Sequence, residues 1–513
     1  MTFRRGLLAA LTCIPLVGGL ALAEDAPLEL SLDQAVERAL ENNTDIAIQR
    51  FNPESSAESV REARGVYDPT FTSTLTRQSA QSPQSNVFSS KSDKTTVFNF
   101  GLQQYAPTGA TLSVDFNNRK QDTTNPLASF NPSYGSSLTL QLSQPLLRNF
   151  KTDSQRYQLR VAKKNREISD VQFHQSVVNT IAAVKSRYYD LIYYIDNLSV
   201  QNKSLALAQK LLDENQIKVK VGTMAPLDVV SAEAEVARIK NIVIAAQTSL
   251  AQAEDNLKLL IFPKNDLAMW ALHIDPTDRP TAERTDIDVD AAIKKALEQR
   301  TDVVAQRKTL EIAEERLRLA RNGRLPGVDL ILSYVTTGQG GTQLVRDPNN
   351  PLGPVVNEIP GGYGDAASQV FGRDFPTWMA GVNVTIPIPN RSARASMARA
   401  HIALDQTKAQ LTALELQVTS QVRTAGRAVE SGYQQVESTK AARVLAERRL
   451  DAEQKRFAAG MSTNFMVTQA QRDLAQAEAD ELQAVADYRK SIISFEQVQE
   501  AGTGGITFAG SGS

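Results

Sequence analysis

The stretch Leu30–Ile46, LSLDQAVERALENNTDI, returns as Ile287–Val303, IDVDAAIKKALEQRTDV, at a constant shift of 257 residues. Asp33 falls on Asp290, Ala35 on Ala292, Ala39 on Ala296, Leu40 on Leu297 and Asp45 on Asp302. The register continues without a gap, carrying Arg50 onto Arg307, Ala63–Arg64 onto Ala320–Arg321 and Pro69 onto Pro326. At that proline, in both copies, a helical pattern gives way to alternation, because proline cannot continue a helix. A repeat this long makes the chain a doubled unit, and it has to be recognised before domains are counted.

A second match follows at a shift of 238, placing Gly222 on Gly460, Val229 on Val467, Ala232 on Ala470 and Ala237 on Ala475. Upstream of those glycines, Ile181, Val184, Tyr188, Leu191, Ile195, Leu198, Leu205, Leu212 and Val219 keep the alternating spacing of a seven-residue apolar rhythm. Shifting the inner series gives Val422, Val429, Val436, Arg443, Leu450 and Phe457, with one polar interruption. No proline occurs from about 153 to 221 or from about 392 to 459, so each stretch predicts a helix of ~100 Å at ~1.5 Å per residue. Each ends at a glycine, followed by Pro226 in one copy and by Ser462 and Thr463 in the other, and an Ala-rich helix then returns. The unit is a helical hairpin, although a long coiled coil with no transport role predicts the same stripe.

Between the helices the pattern changes period. Alternation is visible from Phe71 to Arg77, at Phe98, Phe100 and Leu102, at Leu112, Val114 and Phe116, and at Leu138, Leu140 and Leu142, with Thr, Ser, Asn and Gln interleaved. The second copy shows it from Val328 to Val335 and from Met379 to Ile386. One apolar face and one uncharged polar face suit a membrane barrel, and a soluble sheet packed on helices alternates in the same way. Stretches 79–95, 120–132 and 338–376 are rich in Gly, Pro, Asn and Ser and read as surface loops. A few strands cannot close a barrel alone, so oligomerisation is required.

Arg4 and Arg5 precede an apolar run ending in Ala21-Leu22-Ala23, which predicts a signal peptide over 1–23 with cleavage before Glu24. The single cysteine, Cys13, lies inside it, leaving the mature chain without a thiol for a disulfide, a nucleophile or a zinc-thiolate site. Beyond this run no stretch of eighteen or more apolar residues occurs, so membrane insertion has to use closed β-structure. The formal net charge of -1, without a long basic run, points away from nucleic acid. His174, His273 and His401 are widely separated, and no HExxH, GxSxG, phosphate-loop or dinucleotide pattern is present. No cofactor, metal or catalytic residue is therefore expected, and the chain reads as a non-enzyme.

The opening LSLDQAVERALENN, the helix-to-strand junction before Pro69 and Pro326, the strand end LQLSQPLL before a long helix, and the two G-x-x-x-x-[LF]-x-V-x-x-A hairpins together resemble the TolC-like outer-membrane efflux family. The resemblance covers nearly the whole mature chain. It implies an α+β fold in which long antiparallel helical hairpins form a periplasmic tunnel beneath a barrel, the barrel having twelve strands shared by a homotrimer in outer-membrane lipid. The implied partners are a periplasmic adaptor and an inner-membrane pump. In these terms residues 24–280 form the first repeat, with strands over about 69–146 and a hairpin over about 153–261. Residues 281–500 form the second, with strands over about 327–388 and a hairpin over about 392–498, and residues 501–513 are a flexible tail.

The same resemblance places Gly222, Thr223, Met224, Gly460, Met461 and Ser462 at hairpin tips that meet the adaptor. The periplasmic gate falls on Asp228, Phe457, Met466 and Gln469. Asp228 matches the family's aspartate six residues after the first glycine. In the second copy Phe457 and Ser462 replace a tyrosine and an arginine, and Met466 and Gln469 stand where the family has aspartates. A tip closed mainly by apolar packing follows, weakly blocked by multivalent cations; a ring made by Asp228 alone is the alternative. The first copy holds four alternating segments where the family places two, which either elaborate an outer hairpin or enlarge the barrel. The 338–376 insertion would be an extracellular loop or a plug. A soluble periplasmic coiled-coil adaptor or scaffold, and a general porin, remain as competing functions, although neither predicts two matched halves.

Overall fold

The computed structural model describes residues 27–84, 86, 88–263, 267–350 and 352–500. The expected export signal and C-terminal tail lie outside them. In chain order come strand β1 (Leu28–Leu30), helices α1 (Leu32–Asn42) and α2 (Thr44–Arg64), and strands β2 (Thr70–Gln81), β3 (Ser92–Tyr105), β4 (Thr111–Thr123) and β5 (Phe130–Pro145). Helices α3 (Ser154–Lys220), α4 (Pro226–Ile261) and α5 (Leu267–Ala271), strand β6 (Ile274–Pro276), and helices α6 (Val289–Gln299) and α7 (Thr301–Asn322) follow. The chain continues through strands β7 (Gly327–Arg346) and β8 (Val355–Ile359), helix α8 (Tyr363–Gly372), strand β9 (Phe375–Thr385), and helices α9 (Arg391–Ala458) and α10 (Asn464–Gln499). Helix α6 is α1 displaced by 257 residues at both ends, and α10 is α4 displaced by 238 at both ends. The duplication read in the sequence is therefore a duplication of structure.

Two units divide the chain, one of them comprising residues up to Ala47, Val177–Ile287 and Thr424–Gln497. Its start is fixed locally: the Ser31 hydroxyl accepts from the Gln34 amide and the Gln34 side chain accepts from the Ser31 amide, a reciprocal cap on α1. Asn42 and Asn43 then donate to the last carbonyls of α4, at Ile261 and Leu260, which the helix itself leaves unpaired. Strands β1 and β6 pair in parallel. The seven-residue rhythm becomes the packed seam: Ile181, Val184, Tyr188, Leu191, Val429, Val436 and Leu450 are all buried. Tyr188 shows why a buried tyrosine needs a partner, since its hydroxyl donates to the Leu30 carbonyl at 2.8 Å, and burial pushes it up to about 12. Tyr488 does the same at the Glu283 carbonyl, also at 2.8 Å.

The second unit comprises Ile48–Ser176, Asp288–Arg423 and the residues from Val498. Its helices α7 and α3 are laced by ion pairs, Arg160 to Glu315, Lys164 to Glu311 and Lys308 to Glu167, each at 2.8 Å. Leu317, Ala400 and Leu404 pack α7 against α9. The four alternating segments of the first copy are four strands, and with β7, β8 and β9 they make one antiparallel sheet. Pairing runs β2-β3-β4-β5-β7, after which β9 covers the lower part of β7, Gly327 to Thr337, and β8 the upper part, Gln343 to Arg346.

The 338–376 stretch is not the plain loop that its composition suggests. Strand β7 continues through Gly338, Gly340 and Gly341, with an irregularity of register beside Gly341, and α8 packs on the sheet face that carries Phe98 and Phe116. The glycines read as loop punctuation, yet here they make a notch: a Cβ on Gly338 would stand 2.0 Å from the Ala366 carbonyl oxygen of α8. Tyr363 closes the contact by donating its hydroxyl to Asn118 at 3.1 Å.

Candidate gate and lipid-facing sheet

Both hairpin turns are closed by the same pair of backbone bonds. Gly222 donates to the Val219 carbonyl at 3.0 Å and Thr223 to Lys218 at 2.9 Å; Gly460 donates to Phe457 at 3.2 Å and Met461 to Arg456 at 2.8 Å. This closure needs one left-handed residue, and Gly222 and Gly460 have φ of +77° and +76°. An added Cβ meets nothing within 4 Å at either position, so the demand for glycine is conformational rather than spatial. Thr223 is exposed, and Met461 is 74% exposed. Met224 and Ser462 are half-buried. Ser462 donates to Glu453 at 2.7 Å, which is the chief reason that carboxyl titrates below its ordinary range.

The four residues expected at the gate occupy different surroundings, and among the described residues no hydrogen bond joins them to one another. Phe457 packs beside Leu211, Leu450, Val467 and Ala470, with the Lys218 ammonium 3.8 Å from its ring centre. Asp228 sits in the first turn of α4, where a negative charge complements the helix N-terminus. Among the described residues its carboxylate has no ion-pair partner, while its backbone carbonyl accepts from Asn464 at 3.2 Å. Met466 is exposed, and Gln469 donates to Asp473 at 2.7 Å.

Two ties between the hairpins escaped the sequence reading. Asn215, fully buried, donates to Asn464 at 2.9 Å, joining α3 to α10. Glu235 of α4, 5% exposed, holds the guanidinium of its helix neighbour Arg238 and that of Arg472 from α10, the latter with one bond at 2.9 Å. Burial pushes the Glu235 carboxyl up, but the hydrogen bonds from Arg238 and Arg472 outweigh it and hold the group down at about 2. The signal was present in the sequence: Glu235 interrupts the apolar run Ala232, Val236, Ile239, and an acid in a packed stripe needs a cationic partner.

In the sheet, directly opposed residues project to the same side. One row crosses all six adjacent strands: Phe71, Leu102, Val114, Leu140, Tyr334 and Trp378 are successive partners from β2 to β9. The row one residue away, on the opposite side, reads Thr70, Gln103, Ser113, Gln141, Ser333 and Met379. Away from the part that α8 covers, the apolar side is open, with Phe71 66%, Leu75 78% and Trp378 77% exposed. A continuous apolar surface of this extent calls for a non-aqueous neighbour, and an apolar band backed by uncharged polar residues is the wall of a lipid-embedded barrel. Among the described residues no helix is long and apolar enough to cross a membrane.

The family of outer membrane efflux proteins matches residues 109–261 and 292–498, well over half of the chain. The chain belongs to this family. It is similar to the outer membrane protein TolC of Vibrio cholerae, at 23% identity over 340 residues, which cover 66% of this chain and 72% of that one. TolC of Escherichia coli is also 23% identical, over 69% of this chain and 67% of its own length. Among solved structures, the Campylobacter jejuni CmeC outer membrane channel shares the fold with a TM-score of 0.63 at 17% identity, over 92% of this chain and 86% of that one. The protein is thus an outer-membrane efflux channel of the TolC type, with its sheet in the outer membrane and its helical hairpins in the periplasm.

Proposed function

We propose that three copies of this chain form one exit duct, coupled by a periplasmic adaptor to an inner-membrane pump. A single sheet open at β2 and β9 supports assembly, because strands in hydrocarbon need a closed cylinder. The observation that carries the coupling is the matched pair of turns at Gly222 and Gly460, which present Thr223 and Met461 to solvent on identically built tips. In this reading Gly222, Thr223, Met224, Gly460, Met461 and Ser462 are the adaptor surface. Phe457, Met466 and Gln469, with the Asn215–Asn464 and Glu235–Arg472 ties, hold the resting gate, and Asp228 adds a carboxylate without an ion-pair partner among the described residues. Residues 1–23 would serve as the cleaved export signal. Cargo is chosen upstream by the pump, since a wide watery duct offers little selectivity chemistry.

A photo-crosslinking residue placed at Thr223 or at Met461 in living cells tests this reading. The expected adduct joins the channel to a periplasmic adaptor, and native mass spectrometry of the detergent extract gives the mass of three chains. A one-chain mass removes the shared duct; adducts to no adaptor from either tip remove the docking assignment.

A further inference from the structure

The two additional strands of the first copy raise the question of where they go. We infer that the barrel closes with eighteen strands, six from each of three copies, β2 of one copy pairing with β9 of the next. The inference rests on the trimer proposed above and replaces the twelve strands implied by family resemblance.

Three observations carry it. First, β3 and β4 are full members of the sheet: β2 pairs β3 from Thr70–Gln103 to Gln81–Ser92, and β4 pairs β5 from Thr111–Ser143 to Gln121–Ser133. Second, their connecting turn is pinned where the sheet meets α3. Arg156, near the start of α3, donates to the Pro107 carbonyl at 3.0 Å and to Asn149 at 2.6 Å. The strands therefore run up, down, up and down over the same height, with a short turn at the periplasmic rim and longer connections at the far rim, as barrel strands do. Third, β3 and β4 supply Phe98, Phe100, Leu102, Leu112, Val114 and Phe116 to the apolar side. Phe98 and Phe116 lie against α8, and a hairpin projecting into water would leave the other four to it at a cost of about 25 cal/mol per Å².

The occupant of the free edges follows from the same rows. The transverse apolar row ends at Phe71 on one edge and at Trp378 on the other, and β2 and β9 are of similar length, 12 and 11 residues. Strand β2 leads away from α2 and β9 leads towards α9, so neighbouring copies bring them together antiparallel. Pairing the two edges satisfies their backbone groups, which hydrocarbon cannot, and continues the apolar belt without a break. Barrels of about 16–18 strands enclose an aqueous channel rather than a packed interior.

The test uses a Cys13→Ser background and polar-side cysteines. Thr72→Cys is combined in turn with Thr377→Cys, Met379→Cys and Gly381→Cys, oxidised in outer membranes, and analysed on denaturing gels. Covalent dimers and trimers from at least one combination are expected. Trimers of correct native mass in which Thr72→Cys instead joins Gln141→Cys of the same chain would overturn the inference, because β3 and β4 would then lie outside the wall. A one-chain native mass would overturn the trimer and the eighteen strands together. If the cysteine pairs impair assembly, amide exchange on trimers of the Cys13→Ser chain decides: β3 and β4 protected like β5 and β7 supports the wall, and exchange within seconds refutes it.

Discussion

Glu235 is a buried carboxylate that ties one hairpin to the other through Arg472. Its carboxyl is held down at about 2 against an ordinary 4.5, with burial opposing and the Arg238 and Arg472 hydrogen bonds prevailing. A group depressed in the folded state contributes stability that is complete above the unfolded value and fades as pH falls towards the folded one. The tie should therefore hold above about pH 4.5 and weaken progressively towards pH 2. The full shift corresponds to about 3 kcal/mol. Arg238 and Arg472 keep 45% and 41% of their side-chain exposure, so water screening lowers the usable part to ~2 kcal/mol. Glu235→Gln should lower the thermal midpoint at pH 7 and flatten the loss of stability between pH 4.5 and 2. Unfolding followed by circular dichroism across that range checks it, and an unchanged acid limb would contradict the assignment. The partnership itself was not legible in the sequence, because Arg472 lies far along the chain and only packing of α4 against α10 brings it within reach.

At the level of elements, the helices were readable and the small helix α8 was not. Long proline-free segments with a seven-residue rhythm have one low-energy reading, a helix buried along one stripe. The glycines of β7 have two, loop or notch, and the choice depends on whether another backbone comes close. Gly338→Val should force α8 away from the sheet, since its Cβ would overlap the Ala366 carbonyl. Arg373, just past α8 with φ of +61°, should then become a trypsin site in intact cells. Retained resistance to trypsin at Arg373 in correctly inserted protein would show that α8 is not held by this contact. Phe98 and Phe116 lie on the apolar side of the sheet, so α8 covers part of that side.

For the molecule as a whole, the orientation of the sheet sets what each face tolerates. Leu140 lies in the apolar row and its neighbour Thr139 points to the other side. Leu140→Arg should cost ~2–4 kcal/mol if the row lies near the bilayer midplane, and so reduce the yield of folded outer-membrane protein. Thr139→Arg should leave yield unchanged while altering ion selectivity in planar bilayers. Equal loss of yield from both variants would mean that the two faces have been assigned wrongly.

Periodicity and duplication alone established the two helical hairpins and the alternating strands, because a stripe and a pleat are local in the chain and a repeat shows by self-comparison; the channel class came from the resemblance of these motifs, in their order, to a known family. Which residues meet across the hairpins, where α8 settles, and that β3 and β4 join the sheet were decided by tertiary structure. Those outcomes rest on contacts between segments far apart in the chain, such as the 249 residues between Asn215 and Asn464, and no local propensity specifies the distance between two side chains that far removed in sequence.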